Sequence, residues 1–153
     1  VLIILSGILN VNSVFTQNNT DNVALNIKLN PIQTLVVNSK QTTVDLNYTT
    51  KNDYANGVSV DQADHLTVYS TGGFQVKVKA SGSQLTGKAN NINVSDVTLT
   101  ASNGTQALSN SASFSSAQLS AEDKVIVSSS KGGVDKTINV NYAAIRTRKQ
   151  RII

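Results

Sequence analysis

The chain has 153 residues with a formal net charge of +4, and it contains no cysteine, methionine or tryptophan. This length suits one domain that buries a hydrophobic core without metals or crosslinks. The absence of cysteine excludes disulfides and thiolate metal sites. Asparagine, serine and threonine make up a third of the residues, which favours strands and tight turns.

The net positive charge comes from the last eight residues. Arg146, Arg148, Lys149 and Arg151 all lie there, whereas residues 1–145 carry nine lysines and nine acidic residues. Nucleic-acid binding requires a basic stripe and aromatic stacking platforms, and a neutral body with 5% aromatic residues offers neither. We therefore expect no nucleic-acid partner.

Residues 1–17 differ from everything that follows them. A short apolar run over residues 1–9 gives way to small and polar residues up to Gln17. The run is too short to span a bilayer and is typical of the apolar region and cleavage zone of a secretory signal peptide. We predict a partial signal peptide over residues 1–17 and one mature domain over residues 18–145; the alternative is a buried first strand or core helix.

The segment after residue 22 alternates apolar and polar side chains. Val23, Leu25, Ile27 and Leu29 would share one face of a half-buried strand, which Pro31 ends. Further on, Val44, Leu46 and Tyr48 alternate in the same way, and Asn56-Gly57 is typical of a turn between extended segments.

Two pairs of later strands are predicted to form hairpins. Residues 66–69 and 74–79 flank a turn that contains Gly72 and Gly73, and residues 124–128 and 134–142 flank Gly132 and Gly133. About eight or nine short strands with turn residues between them predict an all-β, Ig-like antiparallel β-sandwich. A β-barrel is the alternative, because periodicity does not separate the two.

Two features resemble catalytic or binding motifs. Residues 82–88 have the glycine and lysine spacing of a phosphate-binding loop, but Ala89 replaces the hydroxyl that would bind Mg²⁺, so we predict a polar hairpin loop. His65 lies near Asp61 and Asp64, without the spacing of a zinc or calcium site, and we predict a solvated loop. We accordingly expect no enzymatic activity and no catalytic, cofactor-binding or metal-binding residues.

The C-terminal residues 146–153 form an atypical basic tail. We expect a truncation or a shifted reading frame after residue 144, which would leave the sheet lacking a final strand and its edge exposed. The alternative is a basic anchor that binds an acidic surface.

The layout resembles cysteine-free pilin subunits of the alternate chaperone-usher type. The matching features are the alternating residues ahead of Asn30-Pro31, the strands within residues 66–79 and the late strand over residues 137–142. The resemblance implies a secreted or bacterial cell-surface protein that self-associates by donating its N-terminal strand to the next subunit, with a periplasmic chaperone as a further partner. Val23, Leu25, Ile27 and Leu29 would then be the strand-exchange residues; the alternative is that they pair within their own domain.

We therefore predict a non-enzymatic structural or adhesive subunit of a bacterial surface fibre. A monomeric secreted domain that binds carbohydrate or protein is the alternative. No stable membrane span is expected in the mature chain.

Overall fold

The computed structural model describes residues 25–86 and 91–145, which form ten strands, one short helix and one 3-10 turn. The strands are β1 (Gln33–Val37), β2 (Val58–Ser70), β3 (Phe74–Val78), β4 (Gln84–Leu85), β5 (Ile92–Asn93), β6 (Val97–Asn103), β7 (Ala112–Phe114), β8 (Ser116–Gln118), β9 (Lys124–Ser129) and β10 (Gly133–Ala144). Helix α1 spans Lys51–Asn56, and the 3-10 turn spans Val94–Asp96.

The strands form two main antiparallel sheets. Sheet A has the order β1-β2-β10-β6-β8, sheet B has the order β3-β9-β7, and β4 pairs with β5 in a separate two-stranded hairpin. The predicted all-β sandwich is confirmed, and the division into two sheets distinguishes it from a closed barrel.

The core lies between the two sheets. Ile138 and Val140 of β10 and Ile126 and Val127 of β9 are almost completely buried. Strand β10 is central in sheet A and β9 is central in sheet B, so each has neighbours on both sides. Burial of such branched side chains contributes about 1.5–3 kcal/mol each, so the centres of both sheets contribute to the stability of the core.

Both predicted hairpins are wrong in one respect, because their strands belong to different sheets. Strand β2 lies in sheet A and β3 in sheet B, and the same holds for β10 and β9. The connections are corners between layers, and they pack against each other: Ser70 pairs with Gly133, and Phe74 pairs with Ser129. In each corner a buried serine, Ser70 or Ser129, donates its hydroxyl to the carbonyl two residues on, at 2.7 Å.

The turn predicted at Asn56-Gly57 is also different in the structure. Asn56 is the last residue of α1, and Gly57 ends the helix with a φ of +84°, where glycine is favoured. Thr50 and Asp53 form a capping box at the helix start, since the Thr50 hydroxyl accepts from the Asp53 amide and the Asp53 carboxylate accepts from the Thr50 amide.

Candidate functional site

In its described part, residues 25–30, the N-terminal segment does not form the predicted half-buried strand. Val23 lies outside the described residues, and residues 25–30 have no regular secondary structure. Leu25, Ile27 and Leu29 are 79%, 71% and 88% exposed. Three large apolar side chains at alternate positions are therefore left in solvent immediately before β1, and no other described residue covers them.

A cleft opens where sheet A extends beyond sheet B, and we call it the β1–β3 cleft. It has a volume of about 130 Å³. Its lining residues are Gln33, Thr34, Leu35, Val68, Ser70, Phe74, Gln75 and Val76. They come from β1 and β2 on one side and from β3 on the other.

The inner face of β1 is uncovered at this cleft. Leu35 pairs with Val68 and Val37 pairs with Leu66, so both β1 side chains point to the same side of sheet A as the core. Val68 and Leu66 are buried, whereas Leu35 and Val37 are 50% and 47% exposed. Because β3 is the edge strand of sheet B, no fourth strand of that sheet lies over β1 among the described residues.

A second and larger cavity lies at the other end of the sheets, near the end of β10. It has a volume of about 410 Å³. Its lining residues are Val44, Leu46, Tyr48, Tyr54, Leu85, Ile92, Asp96, Val97, Ala144 and Ile145. We call it the apolar cavity, because Asp96 is the one charged residue in that lining.

Val44, Leu46 and Tyr48 form one wall of the apolar cavity, although the strand predicted from their alternation is wrong, because residues 44–48 belong to no strand. Val44, Leu46 and Tyr48 are half-buried and the residues between them are exposed, as their alternation predicts. The Tyr48 hydroxyl donates to the Ala144 carbonyl at 2.6 Å, and the Tyr48 and Tyr54 rings lie 5.3 Å apart. The tyrosine pair thus fixes this wall against the end of β10.

His65 is buried on β2, so the prediction of a solvated loop is wrong for this residue. Residues 63–65 of β2 lie opposite the single residue Asn139 of β10, and this bulge interrupts the alternation. The Gln41 side-chain nitrogen donates to the Ala63 carbonyl at 2.9 Å. This bond orients the Gln41 side-chain oxygen towards His65 Nδ1, 3.0 Å away. That orientation places the proton on Nδ1, and Nε2 accepts from the Tyr142 hydroxyl at 2.9 Å.

Burial determines how His65 and Tyr142 titrate. Because burial disfavours the charged form of each group, it lowers the pKa of His65 and raises the pKa of Tyr142. Both ring nitrogens of the histidine already have partners, and both partners are side chains of the same domain. The arrangement stabilises the strand bulge and is not that of an activated base.

Asp61 and Asp64 also lie on β2 and not on a loop. Asp64 has a φ of +48° within the bulge, a conformation that aspartate tolerates better than most residues. Hydrogen bonds from the hydroxyls of Thr137 and Thr105, and from the Thr105 amide at 2.7 Å, lower the pKa of Asp64. Asp61 instead accepts from Asn141 at 2.7 Å.

The segment with phosphate-loop spacing forms a short hairpin in the part that the structure describes. Gln84 pairs with Asn93 and Leu85 with Ile92, and residues 87–90 lie outside the described ranges. The 3-10 turn over Val94–Asp96 follows this hairpin, where a phosphate-binding loop would require a helix.

No cluster of three histidine, cysteine or acidic side chains suited to a metal ion occurs within residues 25–86 and 91–145. Over the same ranges, no helix has the length and apolar character that crossing a bilayer requires. The signal peptide predicted over residues 1–17 and the basic tail of residues 146–153 both lie outside them.

No protein-family model matches the chain, and no curated protein or solved structure is significantly similar to it. Its function is therefore inferred from its own residues and geometry.

Proposed function

We propose that this protein is a secreted, non-enzymatic structural subunit of a bacterial surface fibre, similar in its assembly to pilins. Residues 23–29 of one copy insert into the β1–β3 cleft of the next copy by β-strand complementation. The observation that carries the proposal is the exposure of three alternating apolar side chains, Leu25, Ile27 and Leu29, immediately before the strand whose inner face is uncovered.

The donated segment has the pattern that strand insertion requires. Its apolar side chains recur with the period of two that places them on one face of a strand, and its intervening residues are polar. Burial of three such side chains contributes roughly 4–9 kcal/mol before the entropic costs of association are subtracted. In the isolated chain these side chains are exposed to water, so this free energy of burial is not gained.

The β1–β3 cleft offers the matching acceptor. The outer edge of β3 has no strand partner among the described residues, so an added strand gains backbone hydrogen bonds there. The same strand covers Leu35 on β1 and contacts the edges of Phe74 and Val76, which line the cleft with it. One inserted segment thus extends sheet B and completes the apolar layer over β1.

A periplasmic chaperone fits this assembly as a temporary partner. An uncovered apolar cleft exposes the chain to aggregation before subunits meet. A chaperone strand that occupies the β1–β3 cleft prevents this, and residues 23–29 of the next subunit then replace it.

The test compares the masses of three purified chains by light scattering. The double variant Leu25→Asp with Ile27→Asp should stay folded and form nothing larger than a dimer, where the parent forms longer multimers. The matched control, Asn26→Asp with Asn30→Asp, adds the same charge to polar positions of the same segment and should assemble like the parent. A parent no larger than a dimer, or equal loss of assembly in both double variants, would refute strand complementation.

A monomeric binding domain for carbohydrate or protein is the second candidate, and the apolar cavity favours it. Pockets of this size with mostly apolar walls and a few polar groups commonly bind small ligands. The Tyr48 and Tyr54 pair supplies an aromatic surface. Because the chain has no tryptophan, tyrosine fluorescence reports on titration with oligosaccharides, and saturable quenching that Tyr54→Ala abolishes would support this function.

A further inference from the structure

The two sheets have four edge strands, and β1 differs from the other three. Strands β7 and β8 have three residues each, and such short edges are a common protection against pairing with another chain. The edge of β3 is the acceptor that we assign to residues 23–29 of another copy. Strand β1 has five residues, Gln33–Val37, without a charge, a proline or a glycine.

Among the residues that the structure describes, no strand pairs with the outer edge of β1. The Thr71 amide donates to the Ile32 carbonyl, and the Asn38 amide donates to the His65 carbonyl. In an antiparallel pair, hydrogen-bonded and non-hydrogen-bonded positions alternate. The even-numbered residues of β1 therefore bond to β2, and the N–H and C=O groups of Gln33, Leu35 and Val37 point away from the sheet.

The side chains of β1 are apolar on both faces. Leu35 and Val37 lie on the inner face, and Val36 lies on the outer face with 58% exposure. A partner strand here must supply backbone groups and uncharged side chains. A second β1 strand supplies both.

Strand β1 is also self-complementary in register. If two copies pair antiparallel about a two-fold axis at Leu35, that residue lies opposite itself and Gln33 lies opposite Val37. The outward-pointing groups of all three residues then form hydrogen-bonded pairs. Thr34 lies opposite Val36 in the non-hydrogen-bonded positions, where side chains approach most closely.

We propose that two copies of this chain associate side by side through antiparallel pairing of their β1 strands, which joins the two copies of sheet A into one continuous sheet. This contact is distinct from insertion of residues 23–29 at β3. It provides lateral association of subunits, whereas strand complementation provides association end to end.

The absence of cysteine allows a crosslinking test of this register. Thr34→Cys and Val36→Cys chains are purified separately, mixed in equal amounts and mildly oxidised, and the disulfide-linked dimers are separated by mass. Random collision gives as much mixed dimer as both homodimers together. In the proposed register, residue 34 of one copy lies directly opposite residue 36 of the other, whereas the two residues 34, or the two residues 36, are only diagonal neighbours. We therefore expect a roughly three-fold or greater excess of mixed dimer over the random ratio. A random ratio, or no more crosslinking than Val134→Cys gives at an exposed site on β10, would overturn the proposal.

A second comparison separates this contact from strand complementation. The same two cysteine chains, each also carrying Leu25→Asp and Ile27→Asp, should keep the excess of mixed dimer. Loss of the excess would mean that β1 strands meet only as a result of strand exchange, and the proposal of an independent contact would fail. In sedimentation equilibrium of the chain with Leu25→Asp and Ile27→Asp, Leu35→Lys should weaken dimerisation by about ten-fold or more, because like charges then lie opposite each other, and Val134→Lys should leave it unchanged.

Discussion

Substitution of Gly132 by alanine should destabilise the protein strongly, because this glycine lies where the two inter-sheet corners meet. A Cβ at Gly132 would collide with the Ser70 carbonyl oxygen and lie 2.8 Å from both the Gly72 nitrogen and the Thr71 carbonyl carbon. All three atoms belong to the backbone of the other corner, so no side-chain rotation relieves the contact. Separation of the corners would disturb both sheets and the β1–β3 cleft beside them.

The expected loss in the free energy of unfolding is about 2–3 kcal/mol, the usual cost of forcing extra volume into a packed site. For a domain of this size, that loss lowers the melting temperature by about 4–12 °C. Gly72→Ala is the matched control in the neighbouring corner, because a Cβ there has no atom within 4 Å. Its stability should be unchanged or higher by about 0.4–1 kcal/mol, since alanine restricts the unfolded chain.

Urea unfolding followed by circular dichroism measures both free energies, and the parent chain provides the reference. Equal unfolding midpoints for Gly132→Ala and Gly72→Ala would refute the close approach of the two corners. The comparison is informative because both changes add the same methyl group to a turn glycine.

Three further predictions concern the core and the buried polar groups. Because the pKa of His65 is lowered from 6.5 in the folded protein, the free energy of unfolding should be highest above pH 6.5 and should fall as the pH drops from 6.5 through the lowered pKa. In His65→Gln, the midpoint of urea unfolding should lose this pH dependence. Ile138→Ala should cost about 2–5 kcal/mol in urea unfolding, because Ile138 has no exposed surface and lies centrally on β10. The pKa of Asp64, measured by carbon NMR, should lie below 3.8, and Thr105→Val should raise it by removing one hydroxyl donor.

The all-β class follows from alternation and turn residues, but the assignment of strands to sheets does not. Gly72, Gly73 and Gly132 lie between strands, as predicted, whereas Gly133 already begins β10. A chain that reverses within one sheet and a chain that crosses to a facing sheet both show a period of two and both bury one face. The contact between the two corners, where Ser70 pairs with Gly133 at a separation of 63 residues, decides between the two arrangements.

Other features were missed for different reasons. The signal for α1 is present as Thr50 and Asp53 at capping-box spacing, but the adjacent Asn56-Gly57 predicts a turn between extended segments. His65 is buried because a bulge shifts the register of β2 against β10. No residue type in the sequence marks the position of this bulge. The apolar cavity could not be predicted from the sequence, because its lining comes from separate segments that only the fold brings together.

Insertion of residues 23–29 into the β1–β3 cleft is tested most directly by supplying the segment as a peptide. The receptor is the chain with Leu25→Asp and Ile27→Asp, whose own segment no longer competes, and the ligand is a synthetic peptide of residues 20–30. Hydrogen exchange should show new protection of the backbone amides along β3, and a peptide with the same two substitutions should give none. Saturable binding without protection of β3, or no binding of the unsubstituted peptide, would contradict strand complementation at this cleft.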